Sequence, residues 1–418
     1  MTDRKVNVFV ELDGTLYHVG QLWARSSREK EGASFQYEQS WLGNNERFAL
    51  EPALELNNSV FHTEANRNMF GAMGDSAPDR WGRILMRRAA SRLAKASNKQ
   101  PQTLREIDYL LGVYDEARQG ALRFSEKMDG PFLQHSDAPP IPPLIELPKL
   151  LSASEKVVED KENDEDLRLL LAPGSSLGGA RPKASIRDKD GQLAIAKFPC
   201  KDDEYSTVLW EAVALSLASK AGIEVPEWRI EIIAEKPILI LRRFDRNFSK
   251  RIPFLSALSM IGARDNEQHS YLEIVDSIRQ HGAHPQKEMT DLWRRVVFNI
   301  LISNTDDHLR NHGFLYERFK GWTLSPLYDV NPTPIEIKPR ILSTAIDLYD
   351  STASLSLAIS VASEYGVDQK LAAVIVKEVA NSVKNWREEA KRFKISSSEI
   401  ERMASAFNHP DLTEALRY

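Results

Sequence analysis

The sequence has a single cysteine and no long apolar run, and each absence excludes a class of protein. Cys200 has no second cysteine with which to form an internal disulfide, and no group of Cys and His residues has the spacing of a zinc site. No stretch approaches the ~18 uncharged apolar residues of a membrane span. The N-terminus also lacks the apolar core of a secretory signal peptide. We therefore expect a soluble, cytoplasmic protein that makes no membrane contact.

The charge balance also narrows the choice of partner. The 418 residues carry a formal net charge of -5, with a pI near 6.1. This balance excludes nucleic-acid binding by the surface as a whole, although a local basic patch is still compatible with it. Hydrophobic residues make up 42% and charged residues 28%, as in ordinary globular proteins, and the length suits two or three packed units.

The first part of the chain mixes strand-like and helical patterns. Apolar and polar residues alternate over 6–12 and again over 15–22, and the Asp13-Gly14 pair between them predicts a β-hairpin. We expect a further short strand within 48–56. The spacing of apolar residues predicts helix over 70–95.

The chain then becomes rich in proline and afterwards in acidic residues. Proline fixes φ and removes a hydrogen-bond donor, so residues 126–148 are expected to form an extended connector. The acidic stretch 155–166 is expected to be the solvated face of a helix. Beyond residue 173 the pattern predicts two strands, at 182–186 and 192–198, and then a helix over 205–222.

Three features of this middle region fit a site that binds phosphate. Small residues fill the loop 175–183, where glycine lets backbone N–H groups approach phosphate oxygens, although the loop lacks Walker A spacing and such loops are more often simple turns. Lys197 ends an apolar strand, either as a phosphate contact or as a lysine reaching water. Glu211, in the next helix, either pairs with Lys197 or faces solvent.

A more specific pattern follows the apolar helical stretch 296–302. Asp306 and Asn311 have the spacing of the aspartate and asparagine in a kinase catalytic loop. The aspartate would accept the proton of a substrate hydroxyl, and the asparagine would bind Mg²⁺. Asp329 follows a predicted strand, 321–324, and supplies a second oxygen ligand. Mg²⁺ needs few protein oxygens because phosphate and water complete its coordination.

Four segments of the chain carry a shared pattern: Ser176–Lys183, Leu241–Arg246, Asp306–Asn311 and Tyr328-Asp329. Together they resemble the HipA family, the kinase toxins of bacterial type II toxin–antitoxin modules. The N-terminal part is similar to the opening subdomain of that family as well. The resemblance implies an α+β, protein-kinase-like fold related to the PI3/4-kinases, with two lobes, an added N-terminal subdomain and a mainly helical C-terminal lobe. In the N-terminal part the similar segments are Val19–Leu22, Phe35–Leu42 and Phe70–Asp79.

The resemblance also assigns roles by position. Asp306 would be the catalytic base, and Asn311 and Asp329 would hold the metal. Autophosphorylation is expected at Ser176, with Ser175 as the alternative, because a phosphate there would repel the phosphates of ATP. The residues expected to bind ATP are Gly178, Gly179, Ala180, Arg181, Pro182, Lys183, Lys197, Glu211, Arg242, Arg243, Phe244, His308, Leu309, Arg310, Asn311, Tyr328 and Asp329.

Two residues depart from the family pattern. Arg242 stands where an acidic hinge residue is expected, which reverses a charge near the nucleotide. Asp307 stands where a glycine is expected after the base, and it is an additional candidate for a metal ligand. The resemblance predicts four segments: an N-terminal subdomain (1–125), a Pro-rich and acidic connector (126–173), a kinase N-lobe (174–245) and a helical C-lobe (246–418).

Cofactors and partners follow from the same resemblance. We expect ATP and Mg²⁺ as cofactors and a protein substrate, an aminoacyl-tRNA synthetase. A small helix-turn-helix antitoxin, similar to HipB, would be the partner, and operator DNA would be bound only through that complex. Two alternatives remain at this point: a catalytically weak co-repressor acting with the antitoxin, and a small-molecule or lipid kinase on the same fold, because a fold does not choose its substrate.

Overall fold

The computed structural model describes residues 2–26, 31–132, 141–174 and 179–418. The chain forms two compact units. The first comprises residues 1–202 and 231–255, and the second comprises residues 203–230 and 256–418. The four segments predicted from the sequence are a finer division and stay a prediction.

Strands occur between residues 2 and 324, and the longest of them lie near the N-terminus. The described residues contain β1 Thr2–Leu12, β2 Thr15–Ser26, β3 Glu31–Tyr37, β4 Phe61–His62, β5 Leu122–Ser125, β6 Lys183–Arg187, β7 Leu193–Lys197, β8 Trp228–Ile233, β9 Lys236–Arg242, β10 Arg246–Asn247, β11 Lys250–Arg251, β12 Phe254–Ser256, β13 Gly313–Glu317 and β14 Gly321–Leu324. They form sheets in the orders β4-β3-β2-β1-β5, β6-β7-β9-β8, β10-β11 and β12-β13-β14.

Helices dominate the C-terminal half. The described residues contain α1 Gln39–Leu42, α2 Gly71–Asp75, α3 Arg80–Ala96, α4 Glu106–Leu111, α5 Leu147–Val158, α6 Asp164–Gly174, α7 Thr207–Lys220, α8 Ala257–Met260, α9 Tyr271–His281, α10 Pro285–Leu301, α11 Leu355–Ser360, α12 Gln369–Val383, α13 Trp386–Arg392, α14 Ser397–Arg402 and α15 Pro410–Ala415. None of the helices in these described parts combines the length and the apolar composition that crossing a bilayer requires.

The N-terminal sheet is built on the predicted hairpin. Strands β1 and β2 pair antiparallel, with Leu12 opposite Thr15. The two turn residues, Asp13 and Gly14, have φ values of 51° and 83°, as a two-residue hairpin turn that follows the strand twist requires. The hairpin prediction is confirmed. The strand predicted within 48–56 is wrong: these residues form turns and bends, in which Tyr37 donates its O–H to the Leu54 carbonyl at 2.8 Å.

Two helices from the region predicted as a connector pack in the core of the second sheet. Helices α3, α5 and α6 pack with β6, β7 and β9 around one apolar cluster that includes Trp81, Leu150, Leu170 and Ile240. Residues 147–158 and 164–174 are therefore part of the folded core of the first unit. The acidic stretch is only partly solvated, because Glu162 is buried and accepts a hydrogen bond from Arg88 at 2.8 Å.

A buried ionic network joins distant parts of the first unit. Asp245 is 3% exposed and accepts hydrogen bonds from Arg243 and Arg246, and from the backbone N–H of Gly120 at 2.7 Å. Burial raises the pKa of this carboxyl, but the two guanidinium groups outweigh burial and hold the pKa far below its usual range. Arg246 also donates to the Gly120 carbonyl at 3.0 Å. Residues far apart in sequence are thus fixed together by charge-assisted bonds.

Helix α10 is the centre of the second unit. It packs against α9, α11, α12 and α15, and Trp293 and Phe298 on it are fully buried. Helix α7 packs on α12 and α13, where Trp386 stacks on Phe407 with ring centroids 4.5 Å apart. The buried α10 fixes the position of the loop that follows its C-terminus.

A buried carboxyl in the first unit makes stability depend on pH. Glu51 is 1% exposed and accepts the backbone N–H of Ala72, and burial raises its pKa to about 7. Between the ordinary glutamate pKa and 7, the unfolded chain is ionised while the folded one keeps its proton. The folded state is therefore destabilised as pH rises through this window, by at most ~3 kcal/mol.

We expect Glu51→Gln to flatten this pH dependence, because the amide oxygen can accept the same hydrogen bond and cannot ionise. Melting temperatures measured from pH 5 to pH 8 check it. The matched control is Glu55→Gln at an exposed position of the same unit, which keeps the slope of the parent chain. A parent-like slope in Glu51→Gln would contradict the assignment.

Candidate active site

The predicted catalytic loop begins directly after α10. Ser303 is fully buried and has φ 55°, a left-handed conformation that is uncommon outside glycine. Asn304 makes two hydrogen bonds to Asn299 of α10. Its Nδ2 donates to the side-chain Oδ1 at 3.0 Å, and its backbone N–H donates to the backbone carbonyl at 2.9 Å. The helix end thus turns sharply into the loop and is held by its own last turns.

One buried carboxylate oxygen anchors this loop. Oδ2 of Asp307 accepts hydrogen bonds from the Tyr271 hydroxyl, from Nδ2 of Asn299 at 2.8 Å and from Nε2 of His312 at 2.8 Å. Burial raises the pKa of Asp307, but His312 and the Tyr271 hydrogen bond outweigh it, so the pKa lies below its usual value. Burial and the same carboxylate raise the pKa of Tyr271 well above its usual value. These contacts argue against Asp307 as an additional metal ligand.

The neighbouring aspartate points the other way. The side chain of Asp306 is 75% exposed, whereas Asp307 is 1% exposed. The Asp306 carbonyl accepts the backbone N–H of His308 at 2.9 Å and the side-chain amide of Asn311 at 3.1 Å. Asn311 itself is 5% exposed. The loop therefore presents one carboxylate to solvent while its backbone is fixed from behind.

The segment containing Asp329 is attached to the same loop. Tyr328 donates its hydroxyl to the Arg310 carbonyl at 2.7 Å, and the N–H of Asn331 reaches Oδ1 of Asn304 at 3.2 Å. Asp329 has φ 56°, a second left-handed non-glycine residue near the loop. Such strained backbone persists where surrounding contacts fix it, and it concentrates at functional sites.

The oxygen ligands that Asn311 and Asp329 would supply suit Mg²⁺, the predicted cation. In the described ranges, no group of three or more His, Cys, Asp and Glu residues is placed to hold a metal ion. Mg²⁺ does not need one, because it takes one or two protein oxygens together with substrate phosphates and water. The amide nitrogen of Asn311 is used by the Asp306 carbonyl, so its amide oxygen and the carboxylate of Asp329 are the ligands that the second unit would offer.

The other predicted residues of the catalytic loop have varied surroundings. Leu309 is 5% exposed and begins a short 3₁₀ turn that ends at Asn311. Arg310 makes a bidentate ion pair with Asp265, with N–O distances of 2.9 and 2.8 Å. His308 is half-buried, and its Nδ1 is buried without a hydrogen-bond partner in the structure. These contacts leave the nucleotide roles of the three residues as predictions.

The glycine-rich loop is only partly within the described residues. Ser175, Ser176 and Gly178 lie outside them. Gly179 has φ 87°, and its N–H donates to the Asp79 carboxylate, which also caps the N-terminus of α3. The backbone N–H of Gly179, which the sequence predicts to bind phosphate, thus donates to the carboxylate of Asp79 in this structure.

The remaining loop and strand residues lie in the first unit and differ in their exposure to solvent. Ala180 and Arg181 are exposed, whereas Pro182 and Lys183 are buried. Lys183 lies opposite Lys197 in the pairing of β6 with β7, and its carbonyl accepts the Trp81 indole N–H at 3.0 Å. Contacts of both lysines with a nucleotide stay predictions.

Glu211 and the hinge residues have different degrees of burial. Glu211, in the second unit, is 4% exposed, which excludes the solvent-facing alternative. In the first unit, Arg242 pairs with Asp190 at 2.6 Å, and Phe244 is half-buried. Arg243 is buried, with its guanidinium bonded to Asp245 and to the Ala117 and Arg118 carbonyls. This arrangement does not favour a nucleotide contact through the Arg243 side chain.

Sequence reasoning missed the residues that support the loop. Tyr271, Asn299 and His312 come from three different elements and meet only through the fold. Asn299 gave a usable signal, because it is a polar residue within the otherwise apolar last turns of α10. Lys338, whose Nζ lies 3.7 Å from Oδ1 of Asp306, gave no signal in the sequence.

This geometry can be compared with known proteins. Residues 175–387, about half of the chain, match the profile of the HipA-like C-terminal domain. The chain belongs to the HipA-like family. The matched HipA-like region contains Asp306, Asn311 and Asp329, so the loop described above lies within the part that defines the family.

Relatives of this HipA-like chain are named as kinases. A protein of Haemophilus influenzae, provisionally named a kinase, is 27% identical over 222 residues, which are 46% of this chain and 63% of that protein. The serine/threonine-protein kinase CtkA of Helicobacter pylori is 23% identical over 171 residues, 38% of this chain and 52% of that kinase. The chain therefore spans less than two thirds of either relative.

A solved structure shows the fold. It is the Shewanella oneidensis MR-1 toxin–antitoxin system HipA and HipB with its operator DNA. One of its chains is 14% identical, with a TM-score of 0.64, over 99% of this chain and 96% of its own length. The predicted α+β, kinase-like HipA fold is confirmed.

Removing the buried anchor should cost far more than removing an exposed contact of the same loop. We expect Asp307→Ala to lower the free energy of unfolding by about 3–5 kcal/mol, because three buried groups lose their acceptor. Asp265→Ala, which removes the exposed pair with Arg310, should cost at most ~1 kcal/mol. Urea unfolding of both variants is the measurement. Equal losses would show that Asp307 is not the anchor.

Proposed function

We propose that the chain is a cytoplasmic, ATP- and Mg²⁺-dependent kinase that phosphorylates serine or threonine in a protein. The observation that supports this most is the opposed placement of two adjacent aspartates. Asp307 fixes the loop from inside, and Asp306 is 75% exposed at its outer surface. A base that must meet the hydroxyl of a macromolecule needs both a fixed backbone and an exposed carboxylate.

The chemistry assigned to the loop is simple. The carboxylate of Asp306 accepts the proton of the substrate hydroxyl while the hydroxyl oxygen bonds to the γ-phosphorus of ATP. The bond between that phosphorus and the oxygen that bridges it to the β-phosphate breaks, and ADP is released. Asn311 and Asp329 would hold Mg²⁺, which neutralises charge on the phosphates when bound. The hydrogen bonds around Asp307 and Tyr328 keep these side chains in place.

The finer assignments come from the family. We assign the protein substrate to the translation machinery, with an aminoacyl-tRNA synthetase as the first candidate. A small helix-turn-helix protein similar to HipB is the proposed antitoxin, and the solved relative in complex with HipB and operator DNA supports this choice. Autophosphorylation at Ser176, or at Ser175, is proposed as the off-switch.

Replacing the proposed base tests the activity. We expect Asp306→Asn to lower phosphoryl transfer from labelled ATP at least ~10²-fold, because the amide cannot accept the proton. Because the Asp306 side chain is exposed, we expect Asp306→Asn to change the melting temperature little. Asp276→Asn, at another exposed aspartate of the second unit, is the matched control and should keep parental activity. Unchanged transfer in Asp306→Asn would refute the role of the base.

Nucleotide binding separates this proposal from a co-repressor without catalytic function. A ligand that binds only the folded state stabilises it, by ~2.7 kcal/mol at a concentration of 100 Kd. We expect ATP with Mg²⁺ to raise the melting temperature of the parent chain, and Asp329→Ala to reduce that rise. If ATP and Mg²⁺ left the parent unchanged in a thermal-shift titration, the co-repressor alternative would be favoured.

A further inference from the structure

The segment that follows Asp329 is held against the catalytic loop along its length. Residues 331–353 contain no helix or strand. The N–H of Thr333 donates to the Ser303 carbonyl at 3.1 Å, and the hydroxyl of Thr344 donates to the Asp307 carbonyl at 2.7 Å. An irregular segment that is bonded to a catalytic loop at two separate points can place a side chain between those points accurately.

Lys338 is the side chain that this segment places beside the base. Its Nζ donates to the carbonyl of Thr305 at 3.1 Å and lies 3.7 Å from Oδ1 of Asp306. Ser343 donates to the same Thr305 carbonyl from its hydroxyl, at 3.0 Å, and from its backbone N–H, at 3.1 Å. The lysine is thus held by the residue directly before the base, next to a second donor from its own segment.

An ordinary surface ion pair does not account for this arrangement. Exposed pairs between lysine and aspartate are worth little and hold neither partner in place. Here the bond to a backbone carbonyl fixes the ammonium relative to the loop, independently of the Asp306 carboxylate. The Lys338 side chain is still 41% exposed, and an ammonium has three N–H donors. It therefore has donor capacity left for an anion that arrives at Asp306.

We propose that Lys338 is a catalytic residue that contacts the transferring phosphoryl group, an inference that rests on the proposed kinase function. As the substrate oxygen bonds to the γ-phosphorus and the bond to ADP breaks, Asp306 takes the hydroxyl proton. Lys338 keeps its own proton throughout. Its ammonium neutralises the charge on the oxygens of the phosphoryl group, and fixed cations at such positions stabilise the transition state.

Substitution of the lysine, with matched controls, tests this role. We expect Lys338→Met to lower kcat by about 10²-fold, as loss of one fixed transition-state donor does elsewhere, with little change in the KM for ATP. Lys338→Arg should retain most of the activity because the positive charge remains. Lys320→Met removes another lysine that is paired with a carboxylate, Glu317, and should behave like the parent. Melting temperatures of all variants should stay close to the parental value.

Chemical restoration of the ammonium keeps the test decisive if Lys338→Met folds poorly. Cys200 is the only cysteine of the sequence, so Lys338→Cys in a Cys200→Ser background offers a single thiol. Alkylation with 2-bromoethylamine converts that thiol into a lysine analogue, and we expect kcat to recover. Parental kcat in Lys338→Met, or a folded cysteine variant that alkylation does not rescue, would overturn the proposal. Absence of any transfer by the parent chain would instead refute the kinase function itself.

Discussion

The second unit depends on a single buried oxygen, Oδ2 of Asp307. Three donors from different elements meet there: the hydroxyl of Tyr271 in α9, the amide of Asn299 in α10 and the imidazole of His312, which precedes β13. A buried carboxylate is costly unless its lone pairs are satisfied, and here the bonds that satisfy it also join the three elements. The bonds that join these three elements are therefore also the bonds that place the loop.

That constraint explains why two adjacent aspartates have opposite surroundings. A loop whose backbone is fixed through Asp307 must turn the preceding side chain outward, and Asp306 is the residue that this geometry exposes. The left-handed backbone at Ser303 and Asp329 belongs to the same arrangement. Its cost is offset by contacts with buried α10 and by the hydroxyl bond from Tyr328. Rigidity on one side of the loop thus accompanies accessibility on the other.

Local patterns predicted much of this structure, and long-range contacts explain what they missed. The Asp13-Gly14 turn and the spacing of Asp306 and Asn311 are local signals, and the structure contains the hairpin and a loop that brings the two residues together. Of the partners of Asp307, Tyr271 is 36 residues away, and Asn299 and His312 lie in other elements that meet it only through the fold, so periodicity could not reveal that this residue is buried. The predicted strand within 48–56 failed for a related reason: its apolar residues pack in turns fixed by a remote tyrosine.

The ionic network at Asp245 has a consequence for how far the HipA-like region is self-contained. Asp245 lies inside the region that matches the HipA-like profile, but one of the hydrogen bonds to its carboxylate comes from Gly120, which lies outside that region. Arg243 and Arg246 likewise donate to carbonyls of Ala117, Arg118 and Gly120. These partners are main-chain groups, which every residue carries, so a chimera that joined residues 1–174 of one relative to the profile region of another would keep the bonds wherever the backbone near residues 117–120 kept its position. The profile region is therefore not self-contained in this chain, because its buried charges depend on main-chain groups that the preceding segment supplies.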